Sequence, residues 1–179
     1  YTQFVFGLHE KELHNDCIQL LKEIFNIEPI IREVPETNSL RINISSPIVA
    51  DFFQKYCGNG SHHKHLPSFI WELPKEYFLA YLDGYSKGDG YTTKEGKLVI
   101  TSVSQQLMLE LAWLCGMHGL QVGIGQTISP AGRIIHKNPL PETKSWRLTI
   151  SKTSHPFEKK NKSPYQWKKP IITEIIKRP

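Results

Sequence analysis

The sequence predicts an α+β fold made of a pair of related β-α-β-β repeats, each an antiparallel sheet with helices on one face. Three observations lead there. Stretches with apolar residues at helical spacing are interleaved with stretches that alternate apolar and polar residue by residue, the marks of amphipathic helices and half-buried strands. The order of these stretches in the first half recurs in the second, and an internal repeat is more informative than either half alone. An arginine also falls at the same place in two otherwise apolar-alternating strands, Arg41 in Leu40-Arg41-Ile42-Asn43-Ile44-Ser45 and Arg147 in Trp146-Arg147-Leu148-Thr149-Ile150-Ser151.

Taken in order, residues 2–8 read as a strand. Glu10 to Phe25 carries Leu13, Cys17, Leu20, Leu21 and Ile24 at helical spacing. Pro29 to Val34 is a short strand, and Pro35-Glu36-Thr37-Asn38 is a turn. Leu40 to Ser45 puts Leu40, Ile42 and Ile44 on one face and Arg41, Asn43 and Ser45 on the other. Ile48 to Tyr56 is a second helix, broken by Gly58-Asn59-Gly60-Ser61, after which His62-His63-Lys64-His65-Leu66-Pro67 leads to a central helix over Tyr77–Gly90.

In that helix Phe78, Leu82 and Tyr85 share a face. Pro74 precedes it, where a missing N–H costs nothing, and Gly90 is expected to close it as a left-handed cap. Gly84 and Gly88 lie one turn apart, where the lack of Cβ atoms would let another helix approach closely. Asp89 sits at the last turn, beside the negative end of the helix dipole, so its carboxylate is costly there unless a cation is near. Tyr91–Thr93 and Lys97–Val103 pair as a hairpin, Gln105–His118 is a helix with Leu107, Leu111, Leu114 and Cys115 inward, and Gln121–Ile128 is a strand. A loop spans Ser129–Lys144 before the strand at Trp146. In the repeat, Phe4-Val5-Phe6 matches Leu98-Val99-Ile100 and the helix at Leu13 matches that at Leu107.

The 179 residues are enough to bury a core, and 22 basic against 17 acidic side chains give a net charge of +5. That balance is permissive for nucleic acid without establishing it. The three cysteines fit neither a disulfide framework nor a zinc spacing and are expected to be reduced core residues of an intracellular protein, cytoplasmic or nuclear. No apolar run reaches bilayer length, and no signal peptide is visible. The chain opens on Tyr1 already in a strand, as a piece of a longer protein would.

The run Leu82-Asp83-Gly84-Tyr85-Ser86-Lys87-Gly88-Asp89-Gly90 resembles the LAGLIDADG (DOD-type) signature of homing endonucleases, most closely the variant in inteins. Lys87 departs from it, standing where the family has an acid. The resemblance covers nearly all of residues 1–151. It implies saddle-shaped sheets, a motif helix paired with a twin on a pseudo-twofold axis, and a monomer with internal pseudo-dimer symmetry. The first repeat would span 1–74, with its motif helix upstream of Tyr1. The second would span 75–151, and the basic segment 152–179 has no assignment.

The resemblance further implies site-specific cleavage of double-stranded DNA with a long recognition site, using Mg²⁺ or Mn²⁺ held by Asp89 and Gly88. It implies that Lys64, in the K-x-x-P run Lys64-His65-Leu66-Pro67, serves the scissile phosphate. DNA contacts fall to Arg41, Asn43, Arg147 and Thr149, then Gln126, Arg32 and Arg133, with Lys94, Lys97, Lys137, Lys152, Lys159 and Lys160 on phosphates. Read from the residues alone, each strand residue is equally an ordinary polar side chain on a one-sided sheet, Lys64 a solvated loop lysine, and the neighbouring His62, His63 and His65 a basic turn. No nucleophilic Cys or Ser at the start and no terminal His-Asn is present, so self-splicing by these residues alone is not expected. A non-cleaving, maturase-like nucleic-acid binder and a structural module without nucleic acid are the alternatives.

Overall fold

The first unit of the chain, Tyr1–Ile70, runs β1 (Thr2–Gly7), α1 (Lys11–Phe25), β2 (Ile30–Val34), β3 (Ser39–Ile44) and α2 (Pro47–Cys57). The second, Trp71–Pro179, runs α3 (Lys75–Asp89), β4 (Gly90–Thr92), β5 (Leu98–Ser102), α4 (Gln105–Met117), β6 (Val122–Ser129), β7 (Ile134–Ile135), β8 (Asn138–Pro139) and β9 (Thr143–Ile150). The structure, a computed structural model, describes residues 1–132, 134–135, 138–154 and 156. It is a mixed α+β fold with antiparallel sheets. Among the described residues no helix is long and apolar enough to cross a membrane.

In the first unit β3 is central, in the order β1-β3-β2. Its alternation works as the sequence predicts: Leu40, Ile42 and Ile44 are buried, while Arg41 and Asn43 face the other way and are half-buried. Leu21 of α1 and Val49 of α2 complete that core, with Phe4, Phe6, Ile18, Phe25 and Phe53 packed around it. Each fully buried aliphatic side chain contributes about 1.5–3 kcal/mol. Ser46 caps α2 by accepting from the Val49 N–H, and Phe25 meets Phe52 edge to face at 5.7 Å, tying α1 to α2.

The buried stripe of α1 differs from the expected one. Leu20 and Ile24 are exposed, and the inward positions are His14, Cys17, Ile18, Leu21 and Phe25. A histidine can take an inward position because its ring nitrogen is satisfied: His14 Nε2 donates to the Gly7 carbonyl oxygen at 2.8 Å, with the ring against Phe6. Residue types alone rank Leu above His for burial, and the hydrogen bond reverses that order.

In the second unit the order is β4-β5-β9-β6. Leu98, Ile100, Leu148 and Ile150 form the buried face, against Leu107, Met108, Leu111, Leu114 and Cys115 of α4 and Phe78 and Leu82 of α3. Phe78 stacks on His118 at 5.1 Å, and Lys75 Nζ donates to the His118 carbonyl oxygen at 2.7 Å, so the start of α3 is fastened to the end of α4. The expected loop at 129–144 holds the small β7–β8 pair, and β9 starts at Thr143, earlier than Trp146. There β6 and β9 pair beyond the core, from Thr127↔Ser145 to Ser129↔Thr143, and polar residues on both faces leave no alternation to read.

The two sheets share an order, since β5-β9-β6 repeats β1-β3-β2. Phe4 pairs with Ile42 and Ile100 with Leu148, so Phe4 corresponds to Ile100, two residues from the match expected from sequence. A slip of two keeps every side chain on its own face, so the pattern cannot detect it.

Replacing Leu111 by alanine is expected to cost about 2–5 kcal/mol of unfolding free energy, and Trp113→Ala, on the exposed side of α4, less than about 0.5 kcal/mol. Denaturant titration of both variants measures this, and equal losses would contradict the facing of α4.

Candidate functional site

The hand-off from α3 to β4 fixes the position of Asp89. Gly90 is extended (φ −118°, ψ 168°), not the left-handed cap expected from the sequence, because it is already the first residue of β4. Its N–H still bonds to the Ser86 carbonyl oxygen. A Cβ at Gly90 would lie 2.6 Å from that oxygen and 2.9 Å from Ser86 Cα, so glycine is required by the close passage of two backbone segments. Asp89 therefore ends α3 with its side chain exposed.

Beside it stands Tyr85, which helical spacing alone marks only as a core residue. Its hydroxyl is buried and makes no well-formed hydrogen bond. Its pKa is pushed up to about 12, first by burial and then by the negative charge of Asp89. Lys87, where the signature has an acid, pairs with Asp83 one turn back at 2.8 Å. That pair lies along the helix surface at ordinary i,i+4 spacing. Gly84 and Gly88 are exposed, and a Cβ on either would meet nothing within 4 Å. With Tyr77, which is 56% exposed, they line an open side of α3 among the described residues.

Lys64 lies in the first unit on a segment folded back over the end of α2. Gly58 makes the turn at φ +83°, where a Cβ would come within 1.9 Å of the His63 carbonyl oxygen. His63 N–H donates to the Gly60 carbonyl and His65 N–H to the Cys57 carbonyl at 3.2 Å, and Leu66 is buried just beyond. The half-buried Lys64 is thus held on a constrained stretch of backbone. His62 and His63 are exposed.

Asp89 offers a hard oxygen donor at the electronegative end of a helix, which suits Mg²⁺ or Mn²⁺, ions that take one or two carboxylates and keep several waters. It is an incomplete donor set. Among the described residues no group of three or more His, Cys, Asp or Glu side chains could hold a metal ion.

Strand register decides which DNA-contact candidates share a face, because residues paired across an antiparallel ladder point the same way. On the uncovered face of the first sheet, Arg41 stands directly between Val5 and Arg32, and Asn43 between Gln3 and Ile30. Gln3, not foreseen as a site residue, donates its amide to Asn43 Oδ1 at 2.7 Å. Two guanidinium groups directly opposite each other are destabilising unless an anion or acceptor joins them. Arg41 Nε is buried with no hydrogen-bond partner. In the second sheet Arg147 stands between Thr101 and Gly125, and Thr149 between Val99 and Gly123. Gln126 pairs with Trp146, on the face of Leu148, so it does not join Arg147 and Thr149 as expected. The period-two spacing of Val122, Ile124 and Ile128 already puts Gln126 on their face, so a count along β6 would have excluded it from the set. Lys94, Lys97 and Lys152 are exposed. Arg133, Lys137, Lys159 and Lys160 lie outside the described residues.

No family model matches the chain. It is similar to an uncharacterized protein of Methanocaldococcus jannaschii, 35% identical over 97 residues, covering 51% of the chain and 12% of that protein. A DNA polymerase of Thermococcus sp. strain GE8 is 30% identical over 123 residues, 65% of the chain and 7% of the polymerase. A component of the A-type ATP synthase of Methanopyrus kandleri is 26% identical over 102 residues, 57% of the chain and 9% of that component. The chain thus spans only a small part of each. Among solved structures, a mesophilic variant of the homing endonuclease I-DmoI superposes with a TM-score of 0.55 over 83% of the chain and 72% of its own length, at 14% identity. At that identity the likeness is one of fold.

The Tyr85–Asp89 geometry has a readout independent of activity. Asp89→Asn removes a negative charge that opposes phenolate formation, so the Tyr85 pKa should fall from about 12 while staying above that of free tyrosine, because burial persists. Ultraviolet phenolate titration, with Tyr85→Phe to assign the band, tests this, and an unmoved band would place the carboxylate elsewhere.

Proposed function

We propose that this chain is the DNA-cleaving part of a LAGLIDADG-type homing endonuclease carried by an intein, hydrolysing phosphodiester bonds of double-stranded DNA with a divalent metal. The observation that carries the reading is the end of α3, where an exposed carboxylate is held beside an open glycine face, within a fold like that of a homing endonuclease. The relatives support it in a second way. Stretches of 123 and 102 residues of this one chain resemble small parts of a DNA polymerase and of an ATP synthase component, proteins with no shared chemistry. An insert carried within unrelated hosts accounts for that better than a polymerase or ATPase domain does.

In this reading Asp89 and the Gly88 carbonyl would hold the metal, and a second acid, on a twin helix packed against Gly84 and Gly88, would complete the donor set. The bound ion supplies an activated water and stabilises the leaving oxygen. Lys64 neutralises charge at the scissile phosphate. The uncovered sheet faces, with Arg41, Asn43, Arg147, Thr149 and Arg32, lie in the major groove, and exposed lysines meet phosphates. A long recognition site and a monomer with internal pseudo-dimer symmetry belong to the same reading.

The test uses the full-length protein with Mg²⁺ on a duplex of the host gene's uninterrupted coding sequence. Double-strand cleavage is expected, reduced at least about a hundredfold by Asp89→Asn with DNA binding retained. Equal cleavage by Asp89→Asn would remove the site assignment. Salt-sensitive binding without cleavage by the parent protein would favour the maturase-like alternative.

A further inference from the structure

The two sheets have the same strand order, so the faces that carry Arg41 and Arg147 can be compared position by position. In the first sheet the row through the arginine is Val5, Arg41, Arg32, and the next row is Gln3, Asn43, Ile30. In the second sheet the same rows are Thr101, Arg147, Gly125 and Val99, Thr149, Gly123. Where the first sheet carries a second guanidinium and an amide pair, the second carries glycines, hydroxyls and a valine that is 3% exposed.

The chemistry of the two faces differs accordingly. Arg32 and Arg41 present two planar donor forks side by side, and among the described residues neither forms an ion pair or side-chain hydrogen bond, with Arg41 Nε buried and unsatisfied. A fork of this kind matches the O6 and N7 acceptors of guanine. Asn43 accepts from the Gln3 amide at 2.7 Å and donates its own Nδ2 to the Ile30 carbonyl oxygen at 3.5 Å, so both amides are oriented, and an oriented amide with a free acceptor and N–H matches the N6 and N7 edge of adenine. Gly123 and Gly125 have no packing reason to be glycine, since a Cβ on either would meet nothing within 4 Å. A glycine in mid-strand often marks a bulge, a bend or the close approach of a ligand or another backbone, and the register of β6 on β9 runs through both glycines without a bulge.

We infer that base reading is unequal between the two sheets: Arg32, Arg41 and the Gln3–Asn43 pair select purines, whereas the second sheet, through Gly123 and Gly125, admits the duplex closely and selects little beyond the base at Arg147. The inference rests on the proposed endonuclease reading and concerns where in the target its sequence information lies. Mismatches in the part of the site under the second sheet are tolerated, and those under the first are not.

The experiment is selection from a randomised duplex library by the full-length protein, with Ca²⁺ in place of Mg²⁺ so that binding is read without cleavage. The enriched site is expected to show strong guanine and adenine preferences in one half only. Arg41→Ala or Arg32→Ala should flatten that half and lower discrimination against random duplex by about tenfold or more. Arg41→Lys should lose the preference but keep the salt dependence, because the charge remains and the fork does not. Gly125→Ala should weaken binding to all sequences alike. Equal preferences in both halves, or an enriched sequence unchanged by Arg41→Ala, would overturn the inference and leave the endonuclease reading standing. Absence of salt-sensitive duplex binding would overturn that reading and this inference with it.

Discussion

A helix gives way to a strand with no residue between them. Asp89 is the last residue of α3 and Gly90 the first of β4, and the chain can make this change only because the Ser86 carbonyl has room beside a residue without Cβ. The consequence is electrostatic. The Asp89 carboxylate lies at the negative end of the helix dipole, and its charge helps to push up the pKa of the buried Tyr85 hydroxyl. The fastening of α3 to α4 through Phe78, Lys75 and His118 keeps this end in place by anchoring the other.

The sheets obey a second constraint, strand parity. Burying Leu40, Ile42 and Ile44 in one sheet and Leu148 and Ile150 in the other obliges Arg41, Asn43, Arg147 and Thr149 to face away from the core. Polar groups on that face stay out of the apolar core, and Arg41 Nε is buried there without a hydrogen-bond partner. The same rule places Gln126 on the opposite face, with Leu148.

Much of the fold was legible because period-two and helical patterns are imposed by burial itself. The strand at Leu40, the α4 stripe and the helix ending in Asp89 follow from residue spacing alone. Where the pattern misled, a local interaction outweighed it. The hydrogen bond of His14 to Gly7 carried a polar ring inward on α1, and the polar extension of β6 and β9 had no apolar face to betray it.

The amino-acid sequence by itself determined the kinds of element, their order, the repeat and the acid that ends the central helix, since these depend on short-range spacing and side-chain chemistry. Only the tertiary structure decided the register: that Phe4 corresponds to Ile100, that Arg32 stands against Arg41 while Gly125 stands against Arg147, and that Gln3 holds Asn43. A two-residue slip leaves every pattern intact, so which side chains become neighbours is settled by packing between distant strands, on which local sequence has no hold.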